Sequence, residues 1–244
     1  MWELPPEPLI LPCNEVHAWR LSLDCPQKQI DRFLLLLSED ERERAARFYF
    51  QADRNHYIAA RGSLRAILGR YLGVEPQQLC FEYSAHGKPC LAEQCRKDNL
   101  NFNLSHSNGL ALLGLTCGRE IGIDLEYIRA GFAGDKIAER FFSPQEVSAL
   151  RALPRNLQDE AFFNCWTRKE AYIKAKGEGL SMPLHLFDVS LAPGEPATLL
   201  RACGDEQEQA RWRLRELFPG PGFVGAIAVE GHDWELKCWE WQSR

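Results

Sequence analysis

The sequence predicts an α+β protein made of two similarly built halves, each with a small, mainly antiparallel sheet and one long helix. Two segments with helical spacing of apolar residues, 51–72 and 158–176, begin about 105 residues apart, and strand-like segments keep a similar offset. The 244 residues, 45% hydrophobic and 26% charged, can bury a core of this size. We expect an N-terminal half at 1–118, a C-terminal half at 119–244, and a ligand site at the interface between them.

The N-terminal half is predicted to begin with a strand followed by helices. Apolar residues alternate with polar ones over 19–23, as expected for a strand, and the apolar run 33–37 indicates a helix. Ser38 and Glu41 have the spacing of a capping box, which predicts a second, Arg-rich helix. The long helix then ends at Gly73.

Three strands are predicted between this helix and the second half. They cover 79–83, 100–104 and 110–116, with turns at 87–89 and 107–109. We expect them to form one antiparallel sheet.

The second half is predicted to repeat this order. A strand at 121–128 precedes a helix at 135–142, and Ser143 and Glu146 form another capping box. The second long helix ends at Gly177. Further strands are predicted at 187–191, 212–217, 223–229 and 236–241.

Composition excludes several classes of protein. The net charge of −5 argues against general nucleic-acid binding, although residues 42–70 contain seven arginines and only two acids. The nine cysteines include no C-x-x-C pair, so neither a disulfide framework nor a zinc ribbon is indicated, and a reducing cytoplasm is expected. The first residues show no secretion signal, and no apolar run is long enough for a membrane span.

Two carboxylates on the strand that opens the second half are candidate metal ligands. Asp124 and Glu126 stand two residues apart and therefore project from the same face of that strand. Like charges so placed repel, and oxygen donors of this kind suit Mg²⁺ or Mn²⁺ better than Zn²⁺. The alternative is a solvated strand face that holds no ion.

A second candidate group lies on the second long helix. Trp166, Glu170 and Lys174 follow one another at four-residue intervals and share one helix face. A site that places a carboxylate beside an ammonium group is one interpretation. An ordinary surface Glu–Lys pair is the other.

The segment 103–107 carries a serine and a histidine before a glycine turn. Ser105 and His106 are neighbours on a predicted strand and point to opposite faces, so they cannot relay a proton as a hydrolase pair would. His106 is therefore interpreted either as a turn residue with local partners or as a ligand contact.

A basic group is predicted around the first long helix. Its members are Arg44, Arg47, Arg54, Arg61, Arg65 and Lys88. Guanidinium groups match phosphate oxygens in shape and charge, which makes phosphate binding one interpretation. An ordinary basic helix face is the alternative.

Taken in order, these elements resemble the Sfp-type 4′-phosphopantetheinyl transferases over roughly residues 38–190. The resemblance rests on Arg47-Phe48-Tyr49, Gly87-Lys88-Pro89, Asn103-Leu104-Ser105-His106-Ser107, Ile121-Gly122-Ile123-Asp124-Leu125-Glu126, Arg140-Phe141-Phe142-Ser143 and Trp166-Thr167-Arg168-Lys169-Glu170-Ala171-Tyr172-Ile173-Lys174. It implies two pseudo-symmetric α+β halves in one chain. It also implies transfer of 4′-phosphopantetheine from coenzyme A to a serine of an acyl or peptidyl carrier protein, with release of adenosine 3′,5′-bisphosphate.

The resemblance also implies roles for individual residues. Asp124, Glu126 and Glu170 would hold Mg²⁺, or Mn²⁺, on the pyrophosphate of coenzyme A. Glu170 would also deprotonate the carrier serine, and Lys174 would contact phosphate. The nucleotide end would be held by Arg44, Lys88, Ser105 and His106, with Arg47, Arg54 and Arg61 as further candidates. The chain departs from the family pattern at Glu41, where a basic residue is usual.

We expect a cytoplasmic monomer that binds coenzyme A and a carrier protein but neither nucleic acid nor membrane. Two other functions use the same residues. A magnesium-dependent phosphoryl or nucleotidyl transferase for a small molecule would need the carboxylates, and a catalytically silent coenzyme A-binding module would need only the basic group.

Overall fold

A computed structural model describes residues 1–96, 99–129, 131, 134–177, 179, 182–202 and 206–242. Its strands are β1 (Glu15–Ser22), β2 (Phe81–Tyr83), β3 (Pro89–Leu91), β4 (Leu100–Ser107), β5 (Leu110–Cys117), β6 (Ile121–Tyr127), β7 (Phe187–Val189), β8 (Leu199–Ala202), β9 (Trp212–Leu217), β10 (Phe223–Glu230) and β11 (Glu235–Glu240). Its helices are α1 (Gln27–Leu36), α2 (Glu39–Ala46), α3 (Gln51–Leu72), α4 (Asp135–Phe141), α5 (Pro144–Ala152), α6 (Arg155–Lys176) and α7 (Glu206–Arg211).

Two sheets and two long helices form the frame. The first sheet has the order β11-β1-β5-β4, and the second has the order β6-β10-β9. Neighbouring strands are antiparallel in β1-β5-β4 and in β6-β10-β9, so three strands of the first sheet have the same arrangement as the whole second sheet. Helix α3 packs in the first core and α6 in the second, which confirms the predicted α+β class with two similar halves.

Each half contains a buried ion pair, and the two pairs occupy equivalent positions. Glu41 belongs to the capping box of α2 and Glu146 to that of α5. Arg65 of α3 donates to Glu41 over 2.6 Å, and Lys169 of α6 lies 2.8 Å from Glu146. Arg65 also donates to the Pro76 and Leu79 carbonyls, and Lys169 to the Leu184 and Phe187 carbonyls, in both cases at the 3₁₀ turn that follows the long helix. The internal repeat therefore extends to single side chains.

Three features differ from the sequence prediction. The strand predicted at 79–83 does not join the first sheet, because β2 pairs with β3 in a separate hairpin. Strand β11 crosses the expected boundary and pairs in parallel with β1. Three short elements without clear periodicity were not predicted from the sequence, namely β3, β8 and α7. The division at 118/119 stays a prediction.

None of the helices in the described ranges has the length and apolar character required to span a bilayer.

Candidate active site

The two sheets meet where β4 faces β6, and side chains rather than a backbone ladder join these strands. Asn103 of β4 is buried, and its Oδ1 accepts a hydrogen bond of 2.9 Å from the Ile123 backbone N–H. Because Asn103, Ser105 and Ser107 alternate along β4, all three side chains can reach β6. This row of side chains is called the β4–β6 junction below.

The junction holds both predicted carboxylates of β6. Ser105 Oγ donates to Asp124 Oδ1 over 2.8 Å, and Ser107 Oγ donates to Glu126 Oε2 over 3.0 Å. Asp124 is almost fully buried, with 4% of its surface exposed. Carboxylates on a second-half strand thus depend on hydroxyl groups of a first-half strand for their orientation.

Gly122 allows helix α6 to approach the same face of β6. A Cβ atom at this position would lie 2.0 Å from the Ala171 carbonyl oxygen and 2.3 Å from the Ala175 nitrogen. Strand geometry places residues 122, 124 and 126 on one face, so this close approach carries Glu170 and Lys174 to the carboxylates. The Lys174 ammonium donates to Asp124 Oδ1 over 2.6 Å and to Ser105 Oγ over 3.1 Å.

Burial and mutual repulsion raise the pKa values of the Glu126 and Glu170 carboxyls. Burial, Asp124 and Glu126 together raise the pKa of Glu170 to about 7, although Lys174 acts in the opposite direction. Burial and the charge of Asp124 also raise the pKa of Glu126. A Glu170 carboxyl that titrates near neutral pH is suited to exchange a proton with a substrate.

Asp124 Oδ2 is the atom that indicates a cation-binding site. It is buried and accepts no hydrogen bond in the described part of the chain, while Oδ1 has two donors. A buried carboxylate oxygen without a donor is costly, and a hard cation would satisfy it. Within the described ranges no three His, Cys, Asp or Glu side chains form a ready metal cluster. The donors therefore fit magnesium in type and charge, and completing the ligand set requires side-chain movement.

Lys88 lies beside this group, in the turn before β3. Its Nζ donates to the Ile121 carbonyl over 3.0 Å and lies 3.6 Å from Glu120. Burial lowers the pKa of Lys88, although Glu120 opposes the effect. Lys88, Glu170 and Lys174 line one cavity of about 580 Å³, which brings a first-half cation together with two predicted second-half residues.

His106 lines a second cavity, of about 550 Å³, between the β4–β5 turn and the start of α3. The cavity is also lined by Phe48, His56 and Tyr57. Burial and the charge of Lys174 lower the pKa of His106. The imidazole therefore senses the charge of Lys174, while its ring lines the cavity beside α3.

The predicted arginines have different environments. Arg61 is buried, and its guanidinium pairs with Glu41, the acid that departs from the family pattern and that also pairs with Arg65. The Arg44 guanidinium lies 5.6 Å from the Tyr57 ring centre, beside the His106 cavity. Arg47 is exposed and 3.8 Å from Glu43. Arg54 Nε is buried and has no hydrogen-bond partner among the described residues.

Sequence reasoning did not identify three residues that build the site. Gly122, Asn103 and Ser107 stood within recognised segments, but no role was predicted for them. Glycine inside a strand often marks a close approach of another backbone, and that signal could have identified Gly122. The bonds from Asn103 and Ser107 depend on how two sheets meet, which no local pattern encodes.

Comparison with known proteins assigns both halves of the chain. The sequence model of the 4′-phosphopantetheinyl transferase superfamily matches residues 120–228, and the model of the 4′-phosphopantetheinyl transferase N-terminal region matches residues 22–116. The two matched regions together define a transferase of this class. The chain belongs to the 4′-phosphopantetheinyl transferase family, as its sequence resemblance predicted.

Named relatives support the same assignment. The 4′-phosphopantetheinyl transferase HetI of Nostoc sp. is 45% identical over 98% of this chain and 98% of its own length. A putative 4′-phosphopantetheinyl transferase of Synechocystis sp. is 35% identical over 81% of this chain and 78% of its own. The 4′-phosphopantetheinyl transferase Sfp of Bacillus subtilis is 32% identical over 68% of this chain and 71% of its own.

Proposed function

We propose that the chain transfers 4′-phosphopantetheine from coenzyme A to a serine of an apo acyl or peptidyl carrier protein, in a magnesium-dependent reaction. Family membership supports the reaction class. The observation that carries the metal requirement is Asp124 Oδ2, a buried oxygen without a donor beside two carboxyls of raised pKa. The negative charges of Asp124 and Glu126 act on Glu170 together, and a bound cation would offset their repulsion.

Asp124, Glu126 and Glu170 would hold the Mg²⁺, and Mn²⁺ is the expected substitute. When bound, the ion would neutralise charge on the phosphate oxygens as the transfer proceeds. The β4–β6 junction supports this assignment, because it fixes Asp124 and Glu126 from a separate sheet.

The chain's own groups would move the proton and position the phosphates. The carrier serine oxygen forms a bond to the β-phosphorus of coenzyme A, and the bond to the bridging oxygen breaks. Adenosine 3′,5′-bisphosphate then leaves with that oxygen. Glu170 would take the serine proton as the general base. Lys174 and Lys88 line the same cavity and would contact the phosphate oxygens.

The nucleotide end of coenzyme A would lie in the cavity lined by His106. Arg44 lies over Tyr57, a lining residue, and His106 faces the same space, so both can contact a terminal phosphate. Ser105 is also assigned here, although its hydroxyl already joins Asp124 and Lys174. Arg47 and Arg54 remain further candidates. Arg61 is the least suited, because Glu41 is its partner.

The proposal extends to the setting of the enzyme. We propose a cytoplasmic monomer that acts on a carrier protein and binds neither nucleic acid nor membrane. The net charge of −5 supports the exclusion of nucleic acid, and nine cysteines without a C-x-x-C pair fit a reducing compartment.

Product release tests the function against its two rivals. The chain is incubated with coenzyme A and Mg²⁺, with and without a panel of apo carrier proteins, and adenosine 3′,5′-bisphosphate is measured by chromatography. We expect release only with both Mg²⁺ and an apo carrier. Release without a carrier would support a small-molecule transferase, and coenzyme A binding without release under any condition would support a silent binding module.

A further inference from the structure

Two thiols from distant parts of the sequence lie against each other at one end of the first sheet. Cys13 Sγ and Cys117 Sγ are 2.8 Å apart, although the residues are separated by 104 positions. Cys13 is exposed in the turn before β1, and Cys117 is the half-buried last residue of β5. Neither residue belongs to the proposed active site.

Strand pairing brings these thiols together. Strands β1 and β5 are antiparallel, with His17 opposite Leu115, so the Cys13 turn continues beyond the end of the ladder beside Cys117. Two hydrogen bonds to backbone carbonyls of the turn hold it in place. Arg119 Nε donates to the Cys13 carbonyl over 3.4 Å, and the Glu235 N–H donates to the Asn14 carbonyl over 2.9 Å. The sulfur contact therefore follows from the fold.

We propose that Cys13 and Cys117 form a reversible thiol–disulfide site. A disulfide has an S–S distance of about 2.05 Å, so the two sulfur atoms need to approach by only about 0.8 Å. The exposed Cys13 side chain is accessible to a small oxidant from solvent. The bond would tie the segment before β1 to the residues that connect β5 with β6.

The oxidant is a small-molecule disulfide such as oxidised glutathione. The Cys13 thiolate attacks one sulfur of this disulfide, forms a mixed disulfide and releases one glutathione thiolate. The Cys117 thiolate then attacks the Cys13 sulfur and releases the second glutathione. Two protein thiols lose two electrons and two protons, and one oxidised glutathione is reduced to two thiols.

The test uses the full chain equilibrated with oxidised glutathione, quenched with acid and alkylated. Intact mass and peptide mapping should show one intrachain bond between Cys13 and Cys117. Because a bond over so long a sequence separation restricts the unfolded chain, Tm should be about 5 °C or more above that of the reduced chain. Both effects should vanish in C13S and C117S and persist in C25S, which removes a thiol elsewhere in the first half.

Three outcomes would overturn the proposal. They are alkylation of both thiols after oxidation, stable glutathionylation of each thiol singly, and a bond between two chains rather than within one. The wild-type peptide map decides between these results even if C117S fails to fold. No readout involves transfer activity, so the outcome is independent of the proposed function.

Discussion

Ser105 Oγ lies 2.8 Å from Asp124 Oδ1 and donates a hydrogen bond from the edge of one sheet to a buried carboxylate at the edge of the other. The Lys174 ammonium contacts both residues from helix α6. Three elements from both halves therefore meet at one carboxylate. The chain needs both halves to assemble the proposed site, although each half has its own core.

Asn103 should contribute to stability through the backbone of β6. The change N103A leaves the buried Ile123 N–H without its acceptor, which costs about 1–3 kcal/mol. N101A is the matched control on the same strand. Asn101 donates to the Arg119 carbonyl, which also accepts from Thr116 Oγ1, so its loss leaves that carbonyl with a donor. Urea unfolding should show N103A as the less stable variant, and equal losses would contradict the proposed role of the β4–β6 junction.

Gly122 should be required for the approach of α6 to β6. In G122A the new methyl group meets backbone atoms of Ala171 and Ala175, so the helix must shift at a cost of about 1–3 kcal/mol. G114A is the control, because its methyl group meets the end of the flexible Ile121 side chain at 2.7 Å. Tm and transfer rate should both fall further in G122A. A larger loss of activity in G114A would disprove this placement of α6.

Glu170 should make the stability of the metal-free chain depend on pH. Its pKa is about 7 in the folded chain against an ordinary value of 4.5, so the folded state binds this proton more tightly. The stabilising contribution is complete below pH 4.5 and is lost as the pH rises through about 7. In chelator, the free energy of unfolding measured from pH 5 to 8 should fall more steeply for wild type than for E170Q. Parallel curves for the two proteins would contradict the raised pKa.

Removing the cation from each of the two equivalent buried ion pairs should cost different amounts of stability. K169M removes the cation bonded to Glu146, and no other cation pairs with that carboxylate in the described ranges. R65M leaves Glu41 paired with Arg61. Because an uncompensated buried charge costs about 3–5 kcal/mol, K169M should be the more destabilising change in urea unfolding. The reverse order would show that Arg61 does not compensate for Arg65.

The sequence predicts the elements of this fold better than their pairing. Both long helices end at a glycine in the left-handed region, Gly73 and Gly177, and both capping boxes form as predicted. Strand β11 could not be placed, because pairing in parallel with β1 joins opposite ends of the chain. Strand β2 was predicted but assigned to the wrong sheet, because its partner β3 has only three residues and too little alternation to detect.

The grouping of candidate site residues was predictable where they share one strand or helix, and not where it depends on tertiary contacts. Strand periodicity places Asp124 and Glu126 on one face, and helix spacing does the same for Glu170 and Lys174, but only the family resemblance gives these residues roles, which stay predictions. The pairing of Arg61 with Glu41 did not follow, because residues twenty apart on two helices meet only in the folded core. For the same reason, the hydrogen bond from Ser105 to Asp124 could not be predicted, because it forms only where the two sheets meet.

Carrier loading by carboxylate variants is the most direct measurement of the central claim. An apo carrier that wild type modifies is incubated with coenzyme A, Mg²⁺ and either wild type, D124N or E170Q, and the intact mass of the carrier is followed with time. Circular dichroism confirms that each variant is folded. We predict that wild type adds one phosphopantetheine group per carrier and that each variant is slower by at least about 10²-fold, because each lacks one ionised oxygen donor for the cation. Loading by D124N and E170Q at the wild-type rate would contradict the account, because the three carboxylates would then not form the active site.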